Sequence, residues 1–221
     1  MAEPGQQAVP ELPVPPAVVS ERFPDQAAEL TRYAGWLADA GSVRGLIGPR
    51  EVPRLWDRHL LNSIALAELV PPAARLVDIG TGAGLPGLAL AIVRPDLRVD
   101  LVESLLRRAN FLTEVVAALD LAGRVRVVRG RAEDRAVTEL VGGASYVTAR
   151  AVAPLDKLVR LGFPLLVRGG SLLAMKGSSA EDELARYATE LRKSGAEVRG
   201  VVECGIGLID PPTRVVHLVR R

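Results

Sequence analysis

The chain has 221 residues, 48% of them hydrophobic, and a formal net charge of +2 at pH 7. That length supports one domain with a sizeable core, able to bury about 70% of its unfolded surface. The single cysteine, Cys204, excludes an internal disulfide framework, and no run of about 18 apolar residues is present to span a membrane.

Charge is uneven along the chain. Residues 1–21 carry Glu3, Glu11 and Glu21 and no basic group, so the remainder is +5, with 28 basic against 23 acidic residues. Lys157, Lys176 and Lys193 are the only lysines; the rest of the basic residues are arginine. Arginine suits phosphate and guanine edges, but a GC-rich genome encodes such an Ala/Arg-rich chain and is the favoured source of the bulk excess, so the bias alone decides nothing. The same 21 residues hold Pro4, Pro10, Pro13, Pro15 and Pro16 without apolar periodicity. They read as a disordered arm. Lacking Lys, Arg and an apolar stretch, they do not read as a signal peptide, and a soluble cytoplasmic protein is expected.

From residue 22 to 221 the pattern is that of one folded domain, with a helical cap over 22–72 and a core over 73–221. "DQAAELTRYAGWLADAG" places Leu30, Tyr33, Ala34 and Leu37 on one helix face, with Gly41 as its expected stop. "VPRLWDRHLLNSIALAELV" forms a second amphipathic helix closed by Pro71-Pro72. Strands are then expected at 75–79, 98–102, 125–129, 145–149, 171–175, 197–203 and 214–219. Helices are expected at 86–94, 105–120, 155–167 and 181–194, with a short one after Glu133. This alternation predicts an α/β fold: a doubly wound, mostly parallel seven-stranded sheet. Only "CGIGLIDPPT" separates the last two strands, too little for a helical crossover, so the last strand is expected to run antiparallel.

The glycine turn after the first strand admits two readings. A dinucleotide fingerprint fits Gly82, Gly84 and Gly87, but its first glycine would have to end the strand, and the residue there is Gly80. The series Asp78-Ile79-Gly80-Thr81-Gly82-Ala83-Gly84 instead resembles motif I of class I S-adenosylmethionine-dependent methyltransferases. A turn without side chains lets backbone close onto an adenosine and an amino-acid tail. Asp78 favours the cationic parts of such a ligand, and Pro86 suits the first helical position. Glu103, ending the next strand, accepts ribose hydroxyls of either cofactor and does not choose between them; the antiparallel ending does, favouring the methyltransferase sheet.

Two target classes are disfavoured. Exocyclic amine methylases usually carry an Asn/Asp-Pro-Pro-aromatic motif after the fourth strand, where this chain reads "YVTARAVAP". Pyrimidine C5 methylases need a cysteine nucleophile, usually after proline, whereas Cys204 follows Glu203 and reads as buried filler. A ring nitrogen such as guanine N7 attacks through an in-plane lone pair without losing a proton, so it needs no general base, only alignment and electrostatics.

Four segments together resemble the bacterial 16S rRNA guanine-N7 methyltransferase G family, also known as glucose-inhibited division protein B. They are "RHLLNSIAL", "DIGTGAGLPGLALAIVRPD", "VRGRAED", and "VTARAVAPL" with "LLAMKG". The resemblance implies methylation of the guanine at nucleotide 527 of 16S rRNA. It implies S-adenosylmethionine contacts from Gly80, Leu85, Ala132, Glu133 and Arg150; Gly82, Gly84 and Glu103 join them on the turn argument. Asn62 stands where the family usually has Asp, and an amide oxygen there can still accept a hydrogen bond.

Arg150 and Lys176 end strands at the sheet edge where such folds bind ligands, so both are candidate catalytic residues. Arg150 alternatively pairs with Glu133 or Asp134. His59, on the second helix beside Trp56, Leu60 and Ser63, is either a satisfied core contact or part of the active-site mouth. No cluster has metal-ligand spacing, so no metal is expected. Arg124, Arg126, Arg129, Arg131 and Arg135 form one basic stretch, and Arg44, Arg50, Arg54 and Arg58 another. Most such charges are solvated faces, yet an enzyme acting on 16S rRNA or a small-subunit particle must offset phosphate repulsion. A monomer with no membrane or DNA partner is expected. The competing readings are a small-molecule methyltransferase, a nucleotide-binding oxidoreductase and a non-catalytic ribosome-binding factor.

Overall fold

The computed structural model describes residues 12–221. Seven strands form one sheet in the order β3-β2-β1-β4-β5-β7-β6. They are β1 (Arg75–Ile79), β2 (Arg98–Glu103), β3 (Val125–Arg129), β4 (Ala144–Arg150), β5 (Leu166–Lys176), β6 (Ala196–Cys204) and β7 (Thr213–Arg220). The first five pair in parallel; β7 runs antiparallel between β5 and β6. The expected alternation and antiparallel ending are thus both present. Strand order reverses between β1 and β4, where Ile79 stands opposite Ala149. That reversal opens a crevice at the carboxyl ends of the two strands.

Helices cover both faces. On one side lie α1 (Ala17–Arg22), α2 (Ala27–Trp36), a helical run from Pro49 to Leu69 that includes α3 (Asn62–Ile64), α4 (Gly87–Val93) and α5 (Leu106–Ala118). On the other lie α6 (Arg135–Val141), α7 (Leu155–Gly162), α8 (Ala180–Arg186) and α9 (Ala188–Lys193). All seven residues of α4 are buried, because α2 and α3 pack on its outer side while β1 and β2 pack beneath. A helix covered all round needs the unbroken apolar sequence GLALAIV.

Several boundaries differ from expectation. Gly41 does not stop the N-terminal helix, which continues through wider turns over Leu37–Gly41. The stop is Gly45 at φ +65°, where the Leu46 N–H donates to the Gly41 carbonyl and the Gly45 N–H to Ser42. These paired bonds define a Schellman end, which demands a left-handed residue. The helix expected through 167 ends at Gly162, since Pro164 follows. Pro86 precedes the first residue of α4 instead of occupying it. The expected arm also ends sooner than residue 21. Val19 is buried in α1, and the Pro13 carbonyl accepts the Trp56 indole N–H at 2.9 Å. Proline lacks a donor but keeps an acceptor. The disorder expected over residues 1–11 lies outside the described residues.

Candidate active site

The crevice is floored by the turn after β1. Gly80, Gly82 and Gly84 have φ of +63°, +63° and +104°, a region L side chains avoid. Space is as restrictive as conformation. A Cβ on Gly80 would lie 2.8 Å from a Val152 methyl, and one on Gly84 would lie 2.7 Å from the Tyr33 hydroxyl oxygen. The turn is held by the Gly80 N–H on the Val102 carbonyl (2.9 Å) and by the Gly84 and Leu85 N–H groups on the Thr81 carbonyl (2.9 and 3.0 Å). From α2, the Tyr33 hydroxyl donates to the Ala83 carbonyl at 2.8 Å. Leu85 is buried under the turn, next to Pro86.

Asp78 does something the sequence did not suggest. It is fully buried beneath the turn, where one carboxylate oxygen accepts from the Gly87 N–H (2.9 Å) and the other from the Thr148 hydroxyl (2.8 Å). It therefore caps α4 from the strand below and does not face the crevice. Burial pushes its carboxyl up to about 6, partly opposed by these hydrogen bonds and by the Arg150 cation.

Glu103 ends β2 with its side chain only 3% exposed. Its two oxygens accept one backbone N–H each, from Gly82 at 3.0 Å and Leu105 at 2.9 Å. A carboxylate has about four acceptor sites, so each oxygen keeps one for a ligand hydroxyl. The bonds fix it directly beside the glycine turn. Ala132 and Glu133, after β3, line a cleft of about 240 Å³ together with Gly80, Val102, Ser104 and Val152. Glu133 is exposed and reaches only Arg131, at 3.8 Å. Asp134 accepts the Arg131 N–H at 2.9 Å.

Arg150 ends β4 directly across from the turn, and neither Glu133 nor Asp134 is its partner. Its Nη2 lies 2.7 Å from Nδ1 of His59, and its Nη1 lies 3.5 Å from the Arg58 carbonyl. Nε2 of His59 lies 2.9 Å from Glu51, whose other oxygen lies 3.2 Å from Arg58. Burial, then the Arg150 charge, lowers the His59 pKa below its ordinary value, so the ring is neutral near pH 7. His59 is thus a bonded part of the cleft wall, resolving the open choice between core and mouth. Lys176 shares that wall of about 590 Å³ with Glu51, His59, Asn62 and Arg150. Its ammonium is already held by the Ala153 carbonyl (3.0 Å) and Glu183 (2.9 Å). Asn62 faces the Thr213 hydroxyl with its amide oxygen, the acceptor role expected of it.

The expected site residues therefore fall into two adjoining groups, with the Ala151–Val152 segment between them. Gly80, Ala132 and Glu133 line one cleft, beside which Glu103 is bonded to Gly82, while Gly84 and Leu85 lie buried within the turn; His59, Arg150 and Lys176 line the other. Glu51, Tyr33, Val152 and Glu183 were not anticipated. Glu51 stands eight residues before His59, and the tight turns of Pro49–Arg54 with Pro53 inside give way to wide turns over Leu55–Leu61, so no regular helical period links the two. Cys204 is buried, and burial pushes its thiol up to about 12, in keeping with a filler. Among the described residues, no group of three or more potential metal ligands gathers and no helix is long and apolar enough to cross a membrane.

Comparison with known proteins adds three findings. A sequence model described as rRNA small subunit methyltransferase G matches residues 26–210. Proteins named ribosomal RNA small subunit methyltransferase G are similar over most of their lengths. That of Salinispora tropica is 51% identical, covering 96% of this chain and 90% of its own. That of Mycobacterium marinum is 55% identical, covering 84% and 80%. Among solved structures, mitomycin 7-O-methyltransferase matches at TM-score 0.61 with 19% identity, covering 91% of this chain and 67% of that one. Aeropyrum pernix fibrillarin, solved with natively bound S-adenosyl-L-methionine, matches at 0.54 with 21% identity, covering 73% and 75%. At such identities these two speak for the fold alone.

Proposed function

The chain belongs to the rRNA small subunit methyltransferase G family of S-adenosylmethionine-dependent enzymes, and we propose that it methylates N7 of a guanine in 16S rRNA, the one at nucleotide 527. The reading rests most on a single observation: both ring nitrogens of His59 are already engaged, by Arg150 and Glu51. Among the described residues Glu51 is also the one carboxylate lining that cleft, and it is bonded to His59 and Arg58. Among the described residues the wall therefore offers no strong base: the Glu51 oxygens keep lone pairs, but the hydrogen bond from His59 holds that carboxyl below its ordinary pKa, which suits a nucleophile that has no proton to lose. In the reaction the N7–methyl bond forms as the sulfur–methyl bond breaks, and positive charge passes from sulfur to the purine ring.

The residues present fit the methyl donor. Gly80 and Gly84 keep the turn tight against Val152, Tyr33 and Leu88, bare backbone at Gly82 leaves open the space a Cβ would fill, and Glu103 offers its spare lone pairs to a ribose diol. Ala132 and Glu133 wall the cleft in which an adenine would lie. S-adenosylmethionine, when bound, supplies an electrophilic methyl on a sulfonium. Arg150 is assigned to its carboxylate and not to N7, because a fixed cation beside N7 would oppose the charge the ring acquires. Lys176, paired with Glu183, shapes the Ala153 loop and the rim where RNA would approach.

The test is methyl transfer to small-subunit particles from cells lacking the modification, with the site located by primer extension and mass analysis of 16S rRNA. One methyl on one guanine, removable as an N7 adduct, is expected. Modification of an exocyclic amine, or of free nucleobases in preference to particles, would overturn the reading.

A further inference from the structure

We infer that Glu51 is a positioning residue for Arg150, acting through the imidazole of His59. The inference rests on the reading of the site given above, in which Arg150 holds the cofactor carboxylate.

A guanidinium has five N–H donors and no acceptor. The 2.7 Å contact between Arg150 Nη2 and His59 Nδ1 therefore requires Nδ1 to be the acceptor, with no proton. The one ring proton must then reside on Nε2, which donates to Glu51 at 2.9 Å. Glu51 selects that tautomer and stops the ring from rotating. Arg58, bonded to the second oxygen of Glu51 at 3.2 Å, holds the carboxylate in turn. The chain of contacts runs from the Pro49–Arg54 turn, through the helical run, to the end of β4. It fastens a guanidinium that has no carboxylate partner of its own among the described residues.

The arrangement has a built-in dependence on pH. The charged or titratable groups facing His59 are Glu51 from the preceding turn, Arg58 from its own segment and Arg150 from β4, with Tyr33 and Asp78 beyond Arg150. Protonation of His59 would put an Nδ1–H against an Nη2–H, two donors and two cations face to face. Arg150 would then leave its place. Because burial and Arg150 lower the His59 pKa, the aligned state prevails at neutral pH and is lost as pH falls through that lowered value.

Two measurements test this. Long-range 1H–15N NMR reads the ring tautomer, and with only two histidines in the chain the assignment is direct. Wild type is expected to show one Nε2–H form. Glu51→Ala is expected to lose it, and Glu51→Gln, whose amide oxygen still accepts, to keep it. Calorimetry with S-adenosylhomocysteine near pH 7.5 is expected to show affinity reduced on the order of tenfold or more in Glu51→Ala and nearly restored in Glu51→Gln. On acidification, wild type is expected to lose affinity more steeply than His59→Asn, whose amide oxygen accepts from Arg150 but does not titrate. A single Nε2–H tautomer and full affinity in Glu51→Ala, or matching pH profiles for wild type and His59→Asn, would overturn the inference. Failure of wild type to bind S-adenosylhomocysteine would instead reject the reading of the site, and the ring tautomers would still decide the role of Glu51.

Discussion

Replacing Asp78 with Asn is expected to stabilise the protein at neutral pH, although it alters a fully buried side chain bonded on both oxygens. A carboxyl raised from 3.8 to about 6 binds its proton more tightly in the folded than in the unfolded chain. Between those values the folded state holds the extra proton, so stability falls as pH rises. The full cost of ionising Asp78 in the fold is on the order of 3 kcal/mol, reached above pH 7 and mostly absent near pH 4. Asparagine carries no such cost. Its oxygen can accept from Gly87 while its amide donates to the Thr148 hydroxyl, which turns to accept. Exchanging a charged acceptor for a neutral one gives back about 1 kcal/mol, leaving a net gain of roughly 1–2 kcal/mol at neutral pH. The assay is urea unfolding of both proteins at about pH 4.5 and about pH 7.5. The stability difference is expected to move in favour of Asp78→Asn by about 2 kcal/mol over that range. If it stays constant, or moves towards wild type, the argument that burial dominates Asp78 is wrong.

Three further outcomes follow from the same geometry. Gly84→Ala puts a methyl within 2.9 Å of both the Tyr33 hydroxyl and the Leu88 Cβ at φ +104°, and is expected to lower stability by about 2 kcal/mol or more and to abolish detectable S-adenosylhomocysteine binding by calorimetry. Arg150→Ala and Glu103→Ala are each expected to weaken that binding at least about tenfold, and unchanged affinity in both would remove the site assignment. Cys204, buried and with its thiol pushed up to about 12, is expected to resist a disulfide reagent at pH 8 in the native protein and to react once urea unfolds it.

Much of this architecture is written in local pattern. Alternation of short apolar strands with helices marks all seven strands, most plainly the inner β1 and β2, where burial on both faces imposes an apolar run, and the positive-φ requirement makes Gly80, Gly82 and Gly84 visible as a turn. What local pattern does not carry is the direction of a side chain. Asp78 belongs to the motif yet turns inward to cap α4, because a buried helix end needs an acceptor and the nearest one lies on β1. Lys176 reaches the expected edge but is claimed by Glu183, seven residues further on. His59 and Arg150 are 91 residues apart and meet only because the helical run folds back over β4. Gly41 and Gly45 show the same limit on a smaller scale. Both can end a helix by composition, and packing selects the one whose neighbours complete the paired bonds.

The bond from Tyr33 to the Ala83 carbonyl bears on how such an enzyme can be pared down or rebuilt. That phenol comes from a helix outside the sheet, yet it braces the glycine turn proposed to hold the adenosyl group. The front of the chain is therefore not a detachable accessory: removing it strips a strut from the cradle, and grafting it elsewhere requires carrying the strut along. Any load placed on those first helices passes, through one hydroxyl, to the backbone of the turn proposed to hold the methyl donor.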